Sequence, residues 1–133
     1  KEEKISEKVM EITMNKGVPV VYDGVGKDTF NESIKSLSTR GLMVSFGQSS
    51  GMVEKVDMHK TFNPKSLFYT RPSLMGYTLN RKELINCSQK LFEKMKNKEV
   101  RTNIYKKFKL NEAEGAHKTL QSRKSSGSII LEP

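Results

Sequence analysis

Two short apolar segments, each followed by a glycine-rich turn, dominate the pattern of hydrophobic and polar positions along the chain. Residues 18–23 precede Gly24-Val-Gly26, and residues 42–46 precede Gly47 and Gly51. A segment of helical length separates them, so the order is strand, turn, helix, strand, turn. Such apolar runs are typical of buried parallel strands, and glycine lets a ligand approach the backbone closely. The pattern predicts an α/β fold with a ligand site at the carboxyl ends of parallel strands.

Helical periodicity surrounds these two strands. Residues 2–15 repeat apolar side chains at helical spacing, which predicts a first helix. Those side chains are Ile5, Val9 and Ile12. Between the strands, Thr29 and Glu32 match a capping box, which predicts a second helix that ends at Gly41.

The second half of the chain alternates between strand and helix patterns. Residues 66–70 are rich in strand-forming side chains, and Pro72 ends that strand or places it at an edge. Asn80 and Glu83 repeat the capping pattern and predict the longest helix, in which Cys87 is expected to be a small buried thiol. A half-exposed strand, a short helix and a last strand are predicted at 101–110, 111–123 and 127–131.

Composition narrows the function classes. The net charge is +9, yet only five of the 24 basic residues are arginine, and the lysines are spread along helix faces. A solvated lysine-rich surface is therefore predicted rather than a nucleic-acid site, with attraction of an anionic phosphate-bearing ligand as the alternative. No apolar run approaches the roughly 18–20 residues that span a bilayer. We expect a cytoplasmic protein without a membrane partner.

No catalytic or metal-binding set is evident. The single cysteine excludes an internal disulfide, and His59 and His117 have no Cys or carboxylate at metal-ligand spacing. The sequence also has no recognisable Ser/His/Asp set for nucleophilic catalysis. Any reactive atoms are expected to belong to a bound cofactor that the protein positions.

Four places are candidates for ligand contact. Glycines beside hydroxyls and an amide offer hydrogen bonds at a strand end, and an arginine near a turn suits a phosphate. These places are Gly24–Gly26, Phe46–Gly51, Thr70–Leu74 and Arg123. Each has a structural alternative (a turn that needs positive φ, a flexible loop, a strand end, a surface arginine), and spacing alone leaves both open.

The glycine pattern for binding a diphosphate is incomplete. Gly24-Val-Gly-Lys-Asp-Thr29 lacks the third glycine of Gly-x-Gly-x-x-Gly, and no complete copy occurs in the sequence. The chain therefore has the pattern of the second half of a nucleotide-binding fold. Because its first residue is Lys1 rather than Met, we expect a fragment or a processed chain.

Four motifs in order give the chain a resemblance to a known family. They are Val-Val-Tyr-Asp-Gly-Val-Gly (20–26), Arg-Gly-Leu-Met-Val-Ser-Phe-Gly-Gln-Ser-Ser-Gly (40–51), Ser-Leu-Phe-Tyr-Thr-Arg-Pro-Ser-Leu (66–74) and the tail 116–133. The chain resembles the C-terminal part of zeta-crystallin-like NADPH:quinone oxidoreductases, a zinc-independent branch of the medium-chain dehydrogenase/reductase superfamily.

The resemblance implies a partial Rossmann-like parallel sheet, the second mononucleotide-binding half, with a C-terminal helix-strand-helix-strand extension. Residues 1–78 would belong to the NADP-binding domain, and residues 79–133 would return to a catalytic domain. The complete enzyme would transfer hydride from NADPH to a quinone. Without the phosphate loop and the catalytic domain, this chain alone is expected to be inactive and not to bind NADPH tightly.

The resemblance also assigns positions and partners. The expected NADPH contacts are Val25, Phe46, Gly47, Gln48, Ser49, Pro72, Ser73, Leu74 and Arg123. Gly24 departs from the family, whose members more often carry serine there. The strand at Ser66–Tyr69 would pair across a homodimer. The alternatives are a non-catalytic module that self-associates through that strand, and a half-enzyme whose N-terminal half is supplied by a separate chain.

Overall fold

The computed structural model describes residues 4–122 and 124–133, and the chain divides into two compact units, Lys1–Tyr77 and Thr78–Pro133. The elements of the first unit are helices α1 (Ile5–Ile12), α2 (Phe30–Ser36), α3 (Met58–Phe62) and α4 (Leu74–Tyr77), and strands β1 (Val18–Asp23), β2 (Leu37–Ser45) and β3 (Phe68–Thr70). The strands form one sheet in the order β1-β2-β3.

All pairing in this sheet is parallel. Tyr22 lies opposite Val44, and Val44 lies opposite Thr70 on the other side. This confirms the predicted pair of neighbouring, co-directional strands. The carboxyl ends of all three strands consequently meet at one edge of the sheet.

The second strand is longer than the sequence predicts. It begins at Leu37, opposite Val18, so α2 ends at Ser36 and not near Gly41. The register then shifts. Val18 pairs with Leu37, but the next pair is Val20 with Leu42, so β2 has extra residues at this point. Because Leu37 is fully buried, early entry into the sheet places an apolar side chain in the core.

The core of the first unit joins α2, β2 and α3. Its buried members are Phe30, Leu37, Met43 and Phe62. Partly buried side chains pack against them: Val21, Ile34, Val53, Val56 and Leu67. The core thus fixes the sheet below its carboxyl edge and leaves the loops at that edge exposed to ligands.

The predicted capping box at the start of α2 is wrong. Thr29 makes no side-chain cap; its hydroxyl donates to the Asp23 carboxylate at 2.8 and 2.9 Å. Glu32 instead accepts hydrogen bonds from Ser6 of α1, at 2.6 Å from the hydroxyl and 3.1 Å from the backbone N–H. Hydrogen bonds to a carboxylate are stronger than neutral caps, so these tertiary partners outcompete the local motif.

Glu32 should make the first unit sensitive to acid. The Ser6 hydroxyl and backbone N–H, with the Lys35 ammonium, lower the pKa of Glu32 from 4.5 to about 2. Since the pKa is depressed in the folded chain, the stabilisation is present above pH 4.5 and is lost as the pH falls toward 2. We expect the stability gap between wild type and E32Q to close over that range, as measured by urea denaturation.

An exposed glutamate of α1 provides the control. Glu7 forms a surface ion pair with Lys4, which contributes little to stability, so E7Q should follow the wild-type pH profile. An E32Q variant whose stability falls with acid as steeply as that of wild type would contradict this role of Glu32.

The second unit has the predicted helix-strand-helix-strand order. Its elements are α5 (Arg81–Lys96), β4 (Ile104–Lys109), α6 (Ala113–Gln121) and β5 (Ser128–Glu132). β4 and β5 pair in parallel, and Phe108 and Ala116 are buried between strand and helix. The capping box of α5 is present, with Asn80 and Glu83 joined by hydrogen bonds of 3.0 and 3.3 Å.

The apolar face of α5 is exposed. None of its residues is buried, including Leu84 and Leu91. The prediction that Cys87 is a buried thiol is therefore wrong, because that helix face has no covering element within the unit. Among the described residues, no helix has the length and apolar character needed to cross a membrane.

Candidate functional site

Three loops follow the three parallel strands at their shared carboxyl edge. Residues 24–26 follow β1, and residues 46–51 follow β2. Residues 71–73 follow β3 and lead into α4, which begins at Leu74. Ligands of open α/β sheets bind outside the carboxyl ends of the strands. This edge is therefore the candidate site.

A buried carboxylate shapes the first loop. Asp23, only 4% exposed, accepts hydrogen bonds from the N–H groups of Val25 at 2.8 Å and Gly26 at 3.0 Å. The hydroxyls of Thr29 and Ser33 also donate to it, the latter at 2.7 Å. Burial by itself would raise the pKa of Asp23, but the donors led by the Gly26 N–H outweigh burial and lower it. The carboxylate is thus charged and ties the turn to α2.

The second loop lies against the first. The Phe46 N–H donates to the Asp23 carbonyl at 2.9 Å, so the ladder continues past β2. Ser50 donates to the Val25 carbonyl twice, from its N–H at 2.9 Å and from its hydroxyl at 2.7 Å. These bonds hold the two loops together as one surface.

Glycines make this contact possible. A Cβ on Gly47 would lie 2.5 Å from the Gly24 carbonyl oxygen, so only glycine fits. A Cβ on Gly24 would lie 2.9 Å from the ring of Phe46, which is 58% exposed. At the position where the resemblance expects serine, an exposed aromatic ring therefore covers the backbone. A serine there would require this ring to rotate away.

The third loop is joined to the second by one side-chain contact. The Arg71 Nη2 donates to the Gln48 Oε1 at 2.8 Å. Arg71 directly follows β3 and precedes Pro72, Ser73 and Leu74, of which Pro72 is half-buried and the other two are exposed. All three loops therefore contribute to one continuous edge.

The structure brings together most of the positions expected from the sequence. The loop Phe46–Ser49 bonds to the residues just before Val25, through the Phe46 N–H to the Asp23 carbonyl and the Ser49 N–H to the Gly24 carbonyl. The segment at 72–74 adjoins this loop through Arg71. Arg123 lies outside the described residues. These placements are geometric; contact with a cofactor stays a prediction.

Two features that organise the edge are not predicted from the sequence: the hydrogen bonds to Asp23 and the contact made by Arg71. Asp23 was read only as the last residue of a strand, although hydroxyls at Thr29 and Ser33 follow at spacings that a helix start brings back to it. Arg71 lies inside the candidate segment Thr70–Leu74, but its contact with Gln48 does not follow from spacing. The signal for Asp23 was an acidic residue directly before a Gly-x-Gly turn; Arg71 carried no local signal.

The chemistry of this edge is binding and orientation. It offers backbone groups, the Gln48 amide and partly exposed apolar side chains at Val25 and Phe46. Over residues 4–122 and 124–133, no three His, Cys, Asp or Glu side chains come together to hold a metal ion. A flat ring with polar substituents suits such a surface.

Comparison with known proteins gives a family match and curated relatives. The family model described as zinc-binding dehydrogenase matches residues 3–131. The chain is 43% identical over 135 residues to quinone oxidoreductase 1 of Escherichia coli K12, covering 100% of the chain and 41% of that protein. It is 40% identical over 129 residues to a 2-haloacrylate reductase of a Burkholderia species, covering 96% and 39%. The chain thus spans about two-fifths of their length.

Solved structures agree with these relatives. The crystal structure of E. coli quinone oxidoreductase complexed with NADPH matches with a TM-score of 0.90 and 44% identity, over 99% of this chain and 41% of that one. A quinone oxidoreductase of Pseudomonas syringae pv. tomato DC3000 matches with a TM-score of 0.90 and 37% identity, over the same shares. The predicted partial Rossmann-like fold with its extension is confirmed.

Proposed function

Since this chain belongs to the family of zinc-binding dehydrogenases, we propose that it forms the nicotinamide-binding part of a cytoplasmic, NADPH-dependent quinone oxidoreductase. Residues 1–78 would be the second half of the NADP-binding domain, and residues 79–133 would return to the catalytic domain. The meeting of three strand-end loops at one edge carries this proposal, and the likeness to a structure complexed with NADPH supports it.

The resemblance to the family assigns a role to each loop and to Arg123, and the chemistry of these residues permits it. Val25 and Phe46 give apolar contact to the nicotinamide ring, and the backbone at 47–49 gives hydrogen bonds to the ribose. Residues 72–74 meet the carboxamide through their backbone, and Arg123 pairs with the phosphate of the adenosine half. When bound, NADPH supplies the hydride that reduces the quinone.

In this proposal the chain holds and orients the cofactor, and it provides neither a catalytic acid nor a metal ion. Asp23 is buried and fully hydrogen-bonded, so it organises the turn instead of exchanging protons with a substrate. The proposal assigns no role to zinc, as the resemblance to the zinc-independent branch implies.

Dihydronicotinamide riboside, the uncharged nicotinamide half of NADPH, tests the proposal. Added at millimolar concentration to ¹⁵N-labelled chain, it should shift the amide signals of Val25, Gly47, Gln48, Ser49 and Ser73. Adenosine 2′,5′-bisphosphate should leave those signals in place. Absence of shifts at this edge, or shifts confined to other elements, would contradict the proposal.

We also propose that the segment Ser66–Tyr69 joins two copies. The predicted strand start at Ser66 is wrong, because Ser66 has a left-handed backbone and β3 begins at Phe68. Within the described part of the chain β3 pairs only with β2, and Phe68 and Tyr69 are 61% and 42% exposed. An unpaired apolar edge is a template for pairing with the same edge of a second copy. If self-association were the chain's only function, dimers would form while the riboside caused no shifts.

Sedimentation measures this association. Wild type should sediment as a dimer, and F68K should shift toward monomer because a lysine would place like charges across a two-fold axis. F92K, at a phenylalanine of α5 that is 63% exposed, is the matched control and should remain dimeric. A monomeric wild type would overturn the proposal.

A further inference from the structure

We propose that Arg71 is a positioning residue that orients the side-chain amide of Gln48 so that its NH₂ group, rather than its carbonyl oxygen, is offered to the ligand. The inference rests on the proposed function, because the ligand concerned is the nicotinamide–ribose part of the cofactor. It adds a residue and a hydrogen-bond polarity to the edge described above.

The polarity follows from the chemistry of arginine. A guanidinium carries five N–H donors and no acceptor, so only the oxygen of an amide can bond to it. At 2.8 Å from Arg71 Nη2, the Gln48 Oε1 atom therefore accepts the hydrogen bond from the guanidinium. The Nε2 group, on the other branch of the planar amide, keeps both of its N–H donors for a different partner.

The backbone around Gln48 leaves the side chain as the part that needs orienting. Its neighbour Gly47 packs on Gly24, and the Gln48 carbonyl accepts from the Gly51 N–H at 2.9 Å. Arg71 is placed equally firmly, because Thr70 before it pairs with Val44. One side-chain hydrogen bond between two fixed backbones thus selects one of the two amide orientations.

A donor at this place matches the proposed ligand. The ribose hydroxyls and the carboxamide carbonyl of the nicotinamide half carry acceptor oxygens, which an amide NH₂ satisfies. A freely rotating amide would present its oxygen part of the time and would lose that bond. A bond of this kind is worth roughly fivefold in affinity.

Four variants separate orientation from folding, with the riboside titration as the readout. R71M should weaken binding roughly fivefold, because it frees the amide to turn. Q48E should weaken it to a similar extent, although the carboxylate strengthens the pair with Arg71, since it replaces the donor by an acceptor. R71K keeps a cationic donor and should restore most of the affinity. R40M, at an exposed arginine of β2, should bind as wild type.

The opposite pattern would overturn the inference. If Arg71 only supported the fold, R71M would lose stability in urea with unchanged affinity of its folded fraction, and Q48E would bind as wild type. Use of an uncharged riboside excludes charge repulsion as the cause of weaker binding by Q48E.

A ligand-free measurement keeps the inference separate from the proposed function. The Gln48 side-chain NH₂ signals in the ¹⁵N spectrum should move in R71M and stay in place in R40M. If wild type fails to bind the riboside, the proposed function fails while this comparison still decides whether Arg71 orients the amide. Unmoved Gln48 signals in R71M would show that it does not.

Discussion

Replacing Gly47 with alanine is expected to cost roughly 3 kcal/mol of stability and to abolish binding of the riboside. A Cβ at this position would lie 2.5 Å from the Gly24 oxygen, 2.9 Å from its Cα and 3.0 Å from its carbonyl carbon. All three are backbone atoms, so no rotamer change relieves the overlap. The loop after β2 must move away from the loop after β1, which takes apart the edge.

Gly76 offers a matched control. A Cβ there meets no atom within 4 Å, and the residue lies in α4. Since alanine favours the helix more than glycine does, G76A should equal or slightly exceed wild type in urea denaturation. A G47A chain that unfolds at the wild-type urea concentration and binds the riboside would show that the two loops do not approach as closely as described.

Leu37→Ala should lower the free energy of unfolding of the first unit by about 3–5 kcal/mol. The side chain has no exposed surface and belongs to the cluster with Phe30, Met43 and Phe62. Its loss removes buried apolar area and leaves a cavity that helix and strand backbones can fill only partly. Urea denaturation followed by circular dichroism measures the effect.

Leu79 tests whether leucine truncation by itself matters. Its side chain is 78% exposed, so L79A should change stability by less than about 0.5 kcal/mol. A loss of similar size in L37A and L79A would mean that Leu37 does not occupy the core.

The parts of the fold that depend on short-range pattern were predictable. Residues 18–23 form a strand with the expected bounds, because an apolar run between a glycine and a glycine-rich turn favours an extended segment. The prediction that this strand is buried is wrong: only Asp23 is buried, and Val20 and Tyr22 are 36% and 73% exposed. The capping box at Asn80 and Glu83 formed because these residues are exposed and, within the described part of the chain, bond to each other. The parallel pairing followed from the helix between the first two strands.

Features that depend on distant residues were not predictable. Thr29 and Glu32 have the same capping pattern. The Thr29 hydroxyl donates instead to Asp23, and the Glu32 carboxylate accepts from Ser6. The early start of β2 at Leu37 depends on which residue of β1 lies opposite. The exposure of Cys87 reflects what packs on α5, which helical periodicity does not specify.

The candidate site likewise has a part that short-range pattern predicts and a part that depends on distant residues. Its loops were predictable, because glycines after apolar strands mark where backbone is approached closely. The contact between Arg71 and Gln48 was not, since it joins side chains 23 positions apart that meet only when β2 and β3 are adjacent.

The hydrogen bonds to the Asp23 carboxylate keep the turn after β1 ordered when no ligand is bound. The donors to this carboxylate come from both the turn and α2, so the turn cannot open without exposing or unpairing a buried charge. The turn has therefore already lost its conformational entropy before any ligand arrives. Binding of a small molecule at Val25 therefore orders little additional protein. Little of the contact free energy is lost to ordering, so even weak contacts raise the affinity.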